Sequence, residues 1–149
     1  MRIGDSKNYP GTKAGFLTRG VKKGQAFAAM PGWNYVRGDP KIPEDNSFQV
    51  CIPGTNLITD AKGMDQSAGK AQFINDGLKN EAKCRIRQAP DGANYCLAYA
   101  LHDYRIHEEM ETTYDREYWL RKIQWVKLDE KDQAIAAKFY KIDAPEMLI

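Results

Sequence analysis

Nowhere does the 149-residue chain run to the roughly 18 consecutive apolar residues that a membrane helix requires, so no helical span is expected. The first residues hold no apolar run of the secretory kind, and the expected setting is soluble and intracellular. Cysteine is scarce. The three present, Cys51, Cys84 and Cys96, are odd in number and form no C-x-x-C pair, which argues against a disulfide framework and against a structural zinc site. They read as small buried hydrophobes. The two histidines, His102 and His107, lie five apart and so do not share a strand face, and no metal site is expected from them. Neither charge is in marked excess. Lys and Arg number 22 against 20 Asp and Glu, a net charge of +2 that gives no warrant for nucleic-acid binding, which would need a clustered basic stripe. Repeats, low-complexity tracts and linkers are also missing. Residues 1–149 therefore read as one domain, long enough to bury a core without disulfide or metal staples.

What is present suits a globular protein, with 42% apolar and 28% charged residues. Residues 1–115 set short apolar runs between Gly, Pro, Asn and Asp. Strands are expected at Phe16-Leu17, Ala26 to Met30, Phe48 to Ile52, Asn56 to Thr59, Cys84 to Ile86 and Tyr95 to Leu101. Pro53-Gly54 and Asp91-Gly92 mark turns, the latter as a hairpin. Residues 37–47 form the longest polar loop, which is expected to be mobile. Residues 116–141 read as helical, with Tyr118, Ile123, Val126, Ala134, Ile135, Ala137 and Phe139 near helical spacing. Asp129 is a plausible N-cap for the second piece, and Pro145 its stop. The fold class is β-rich, mainly β with a C-terminal helix.

Two stretches carry more information than these patterns. One is Gln72-Phe73-Ile74-Asn75-Asp76-Gly77. The other begins at His107-Glu108-Glu109 and runs through Thr112-Thr113-Tyr114-Asp115-Arg116-Glu117-Tyr118-Trp119. In order and without a gap they resemble the two signature motifs of the SET domain, the fold of most protein lysine methyltransferases. The family writes these motifs roughly as R-F-I-N-H-S and G-E-E-L-x-x-Y-G-x-x-Y-W. Lys13 to Gly24, KAGFLTRGVKKG, resembles the family's opening segment G-x-G-L-F-A-T-R-D-I-K-K-G. Leu57 to Ala61 resembles V-I-D-A, and Tyr99 to Asp103 resembles F-A-x-R-D. The resemblance covers about residues 12–119, leaving a helical segment at about 120–144. It implies a β-clip-like architecture of several small sheets with a threaded C-terminal segment, which periodicity alone does not supply.

The resemblance also implies chemistry: methyl transfer from S-adenosylmethionine to a lysine of a protein or peptide, a histone being one candidate. Direct nucleic-acid binding and membrane association are not expected. Tyr114 matches the family's catalytic tyrosine, a phenol that orients the amine at the end of a narrow channel; otherwise it is a core tyrosine at a strand end. Asn75 matches the asparagine that holds the cofactor's amino-acid end; an Asx-turn before Asp76-Gly77 is the plainer explanation. Lys13, Ala14 and Gly15 fall in the cofactor loop. Phe73 falls at the adenine wall, and Asp76 stands where the family has a histidine that contacts adenine through its backbone. Trp119 or Trp125 would cover the adenine ring or the lysine channel, in place of the C-terminal zinc cluster of many members; both also read as helix-face core aromatics. Glu108 and Glu109 match a structural turn.

Several positions depart from the pattern. The two glycines of G-x-G fall on Thr12 and Ala14, Asp115 replaces the glycine after the tyrosine, Ala29-Met30 replaces Glu-Tyr, and Thr112 stands where many members have a second aromatic. They leave a second reading open: a SET-like module that grips a peptide without catalysis.

Overall fold

Alternation decides the strands. In Tyr95–Ala100 every second residue is buried, namely Cys96, Ala98 and Ala100, so one face of the strand meets the core. A computed structural model describes residues 1–52, 55–64, 69–78, 80–90, 95–114 and 116–142. In chain order the strands are β1 (Arg2–Asp5), β2 (Lys13–Phe16), β3 (Ala26–Pro31), β4 (Trp33–Val36), β5 (Gln49–Cys51), β6 (Leu57–Asp60), β7 (Asn75–Asp76), β8 (Cys84–Gln88), β9 (Tyr95–Ala100) and β10 (Glu109–Thr112). Helices α1 (Arg116–Leu120), α2 (Lys122–Trp125) and α3 (Glu130–Tyr140) follow. The fold is β-rich, built from three small sheets ordered β1-β2-β10-β7, β3-β9-β8 and β4-β6-β5, with helices at the C-terminal end.

The strands expected from the sequence form with boundaries shifted by a residue or two at most sites; the first lies at Lys13–Phe16 rather than Phe16-Leu17. Strands β1, β4, β7 and β10 were not legible. Strand β10 reads Glu-Met-Glu-Thr, and all four residues are buried. It lies between β2 and β7, so its glutamates are covered by neighbouring elements instead of facing water. The Asp91-Gly92 and Pro53-Gly54 turns lie outside the described residues, although β8 and β9 do pair antiparallel.

The expected helical segment divides into three. Asp129 caps α3 as expected, its carboxylate accepting from the Asp132 N–H at 2.8 Å. The helix ends at Tyr140, ahead of Pro145, because Lys141 turns left-handed at φ 55° and its N–H bonds back to the Ala137 carbonyl. Residue 145 lies outside the described residues.

The 37–47 loop is fastened at its far end. Gln124 of α2 is 2% exposed, and its amide nitrogen lies 2.9–3.2 Å from Asp45, Asn46 and Ser47 oxygens. One apolar cluster, including Leu17, Met30, Ile74, Cys84, Cys96 and Met110, fills the space between the sheets. A second, centred on Leu78, Trp119, Ala136 and Ile142, lies under the C-terminal helices. Full burial of a side chain such as Leu17 or Ile74 contributes about 1.5–3 kcal/mol. Gly69 lets the next segment lie against β3: a Cβ there would fall 2.2 Å from the Ala29 carbonyl oxygen.

Candidate functional site

The sheet containing β10 brings three separated sequence segments together. On one side, β10 pairs antiparallel with β2, setting Met110 opposite Gly15. On the other it pairs parallel with β7, setting Glu111 opposite Asn75 and Thr112 opposite Asp76. Lys13, Asn75 and Tyr114 therefore sit on or beside adjacent strands although they span a hundred residues of sequence. The Asn75 amide closes the group by donating to the Lys13 carbonyl at 2.9 Å.

Two cavities flank this end of the sheet. One has a volume of about 570 Å³ and is lined by Lys13, Phe73, Asn75, Asp76, Tyr114 and Trp119 among others. The other, of about 420 Å³, lies between the outer strands β5 and β8 and reaches Thr112 and Tyr114. Both volumes suit small ligands or side chains. Ser47, Phe48, Gln72, Tyr114 and Tyr118 line both cavities, so they form a shared wall.

Tyr114 is the centre of that wall. Its hydroxyl donates to the Ile74 carbonyl at 2.6 Å. Its ring stacks on Trp119 at 6.0 Å and meets Tyr118 edge-on at 4.6 Å. Burial, reinforced by the neighbouring Tyr118 and Asp76, pushes the phenol well above its ordinary pKa. It stays neutral and cannot serve as a base at physiological pH. With its proton committed to Ile74, its oxygen lone pairs remain as acceptors.

Asp76 acts as a bolt. It is 3% exposed, and its carboxylate accepts from Trp119 Nε1 at 2.6 Å, from the Tyr140 hydroxyl, and from the Leu78 N–H at 2.9 Å. Burial raises its pKa, and the hydrogen bonds from Tyr140 and Trp119 oppose the rise. The carboxylate thus ties β7 to α1 and α3. Leu78 holds a left-handed φ of 52° beside it.

Not every residue expected at the site lines a cavity. Ala14 is fully buried within β2, and Gly15 packs against the N-terminal methionine, whose sulfur would lie 2.4 Å from a Cβ. Neither is among the cavity-lining residues, and neither is Trp125, which packs in the second apolar cluster. Glu109 is structural: its carboxylate accepts from the Ser6 hydroxyl at 2.8 Å and the Lys7 N–H at 2.7 Å. Glu108 pairs with Lys83. Among the described residues no cluster of three His, Cys, Asp or Glu side chains is placed to hold a metal, and no helix is long and apolar enough to cross a membrane.

Three contributors were given no role by the sequence reading: Gln72, Ser47 and Phe48. Gln72 is 8% exposed and lies in the shared wall, yet its Oε1 has no hydrogen-bond partner among the described residues. Its amide nitrogen donates to the Gly69 carbonyl at 3.3 Å. The sequence signal was its own departure, glutamine where the resembled motif has arginine. Ser47 and Phe48 left no signal, because they follow a loop whose anchoring depends on Gln124 far along the chain.

No known protein-family pattern matches the chain, and no curated protein does. Among solved structures it is similar to a Plasmodium falciparum protein named a "putative histone methyltransferase". The two share 17% sequence identity over 76% of this chain and 94% of that one, with a TM-score of 0.51. At that identity the likeness is one of fold.

Proposed function

We propose that the protein transfers a methyl group from S-adenosylmethionine to the side-chain amine of a lysine in a protein or peptide. One observation carries the proposal: Tyr114, the residue the sequence picks out for catalysis, lies in the wall shared by two cavities, one of which is lined by Lys13, Asn75 and Trp119. The donors of that larger cavity fit the cofactor. The Asn75 Oδ1 is left to accept from an ammonium, Lys127 offers a cation to a carboxylate, Lys13 offers a second on leaving its exposed pair with Asp5, and Trp119 and Phe73 offer ring surface to adenine. When bound, S-adenosylmethionine supplies an electrophilic methyl on a cationic sulfur.

The chain's own residues do the rest. Tyr114 turns its lone pairs toward the junction and accepts from the amine, fixing its direction of approach. The unpartnered Gln72 Oε1 is a second acceptor for an amine N–H in the same wall. No carboxylate lines the smaller cavity, whereas Arg85, Arg87 and Arg121 do. A lysine entering there finds no counter-ion, so its ammonium releases its proton more readily. The rings of Phe48, Tyr114 and Tyr118 limit water at the junction, where fixed dipoles act most strongly.

Calorimetric titration tests the cofactor half. S-adenosylmethionine is expected to bind the wild type and to bind Asn75→Ala about tenfold more weakly, the cost of a hydrogen bond to a charged group. No saturable binding at millimolar cofactor would overturn the proposal. A peptide-binding module without catalysis is the second reading. It is favoured by Ala14 and Gly15 being taken up in strand packing. Mass spectrometry of lysine peptides incubated with labelled cofactor separates the two.

A further inference from the structure

We infer that the smaller cavity selects a lysine flanked by acidic residues, so that the substrate segment is acidic rather than a basic, histone-like tail. The inference rests on the methyl-transfer reading for the role of the central lysine, but not for the charge of its neighbours. All the charged side chains lining this cavity are guanidiniums: Arg85, Arg87 and Arg121. Among the described residues none of the three is ion-paired. Asp45, next to the lining Asn46, is engaged with Ser47 and Lys62.

Geometry indicates how a peptide would meet these arginines. Strand β8 is the outer strand of its sheet and β5 the outer strand of another, and both line the cavity. An extended segment that adds to such an edge bonds through its backbone and presents alternate side chains to one face. Arg85 and Arg87 are two apart on β8 and both exposed, so they share a strand face and meet alternate side chains of that segment. Arg121 joins them from the start of α2, its backbone N–H bonded to the Tyr118 carbonyl. Guanidiniums form forked hydrogen bonds with carboxylates and repel lysine or arginine in the same places. A nucleic acid fits less well: the chain carries a net charge of only +2, and these arginines converge on a cavity of about 420 Å³ rather than forming a stripe.

The test is fluorescence anisotropy on the full chain with two labelled peptides of equal length and a central lysine, one flanked by glutamates and one by lysines. The acidic peptide is expected to bind about tenfold tighter at low salt, the sum of three charge pairs open to solvent to different degrees, with the preference shrinking as salt rises. Arg85→Glu with Arg87→Glu should reverse the order, and the glutamine pair at these positions should reduce it to the share of Arg121. Both residues are exposed, and circular dichroism checks that the variants fold. Equal or tighter binding of the basic peptide, or an order unchanged in the glutamate variant, would overturn the inference. So would displacement of the acidic peptide by single-stranded RNA at lower concentration, which would mark a nucleic-acid groove. Binding is read without methyl transfer. The expected order with no transfer would therefore sink the transferase reading and leave the charge selection standing.

Discussion

The two cavities that meet at Tyr114 carry opposite charge. The larger one gathers Asp45, Asp76, Asp129 and Asp132 against Lys13 and Lys127, while the smaller one gathers three arginines and no acid. A single wall, with Tyr114 and Tyr118 at its centre, separates the two fields. The difference assigns them different ligands. A cavity with excess carboxylate favours a cationic ligand, and one lined by guanidiniums favours carboxylates and a neutral amine. Construction differs as well. The acidic side depends on the C-terminal helices, through Trp119, Tyr140 and the α3 cap, whereas the basic side is bounded by the outer strands of two sheets.

The comparison breaks hardest at Trp119. Trp119→Ala empties the acidic side's wall and orphans one of the bonds to Asp76. A stability loss of about 3–5 kcal/mol is expected in denaturant titration; less than about 1 kcal/mol would show that the helices are not integral to that side. Tyr114→Phe comes next. Removing the hydroxyl at the wall should lower the methyl-transfer rate about a hundredfold while ligand affinity on either side changes little. Unchanged turnover would show that the tyrosine does not act at the junction.

Glu111 sharpens the electrostatic half of the comparison. It is 2% exposed on β10, its Oε2 has no partner among the described residues, and burial raises its pKa against the opposing pull of Asn8 and Lys83, with Glu109 and Asp76 adding to the rise. The folded protein therefore keeps a proton that the unfolded chain has already released. Wild-type stability should fall as pH climbs from the ordinary glutamate value of about 4.3 through the raised folded value. Glu111→Gln should lack that fall, matching wild type in acid and exceeding it near neutrality in thermal melts. Parallel curves for the two proteins would refute the assignment. The smallest effect is expected at Asp129→Ala, which removes the α3 cap and one acidic group of the larger cavity. A loss of about 1 kcal/mol in unfolding free energy is anticipated, with the peptide-charge preference of the smaller cavity unchanged.

Much of the fold was legible where a short apolar run lies between turn-forming residues. The short apolar run at Tyr95 to Leu101 and the cap at Asp129 could be read from neighbours a few residues away. Strand β10 was not, because four buried residues that include two glutamates show neither alternation nor apolarity. Its pattern reflects partners brought from the N-terminal segment, such as Ser6 and Lys7 around Glu109. At the candidate site, motif resemblance singled out Tyr114, Asn75 and Trp119, which line one cavity. Gln72 was visible only as a departure from that motif, and the importance of its unpartnered oxygen appeared when both cavities were in view.

The sequence by itself determined a β-rich chain with a capped C-terminal helix, scattered cysteines without close pairing, and a small set of chemically telling residues. Those properties are local, set by the period of side chains along a strand or helix and by hydrogen bonds within one turn. Tertiary structure alone decided that Lys13, Asn75 and Tyr114 converge, since this depends on the parallel pairing of β7 with β10 and the antiparallel pairing of β2. It also decided where charge is concentrated. A net charge of +2 summed along the chain conceals an acidic and a basic cavity, because folding groups charges by position in space and not by order in sequence.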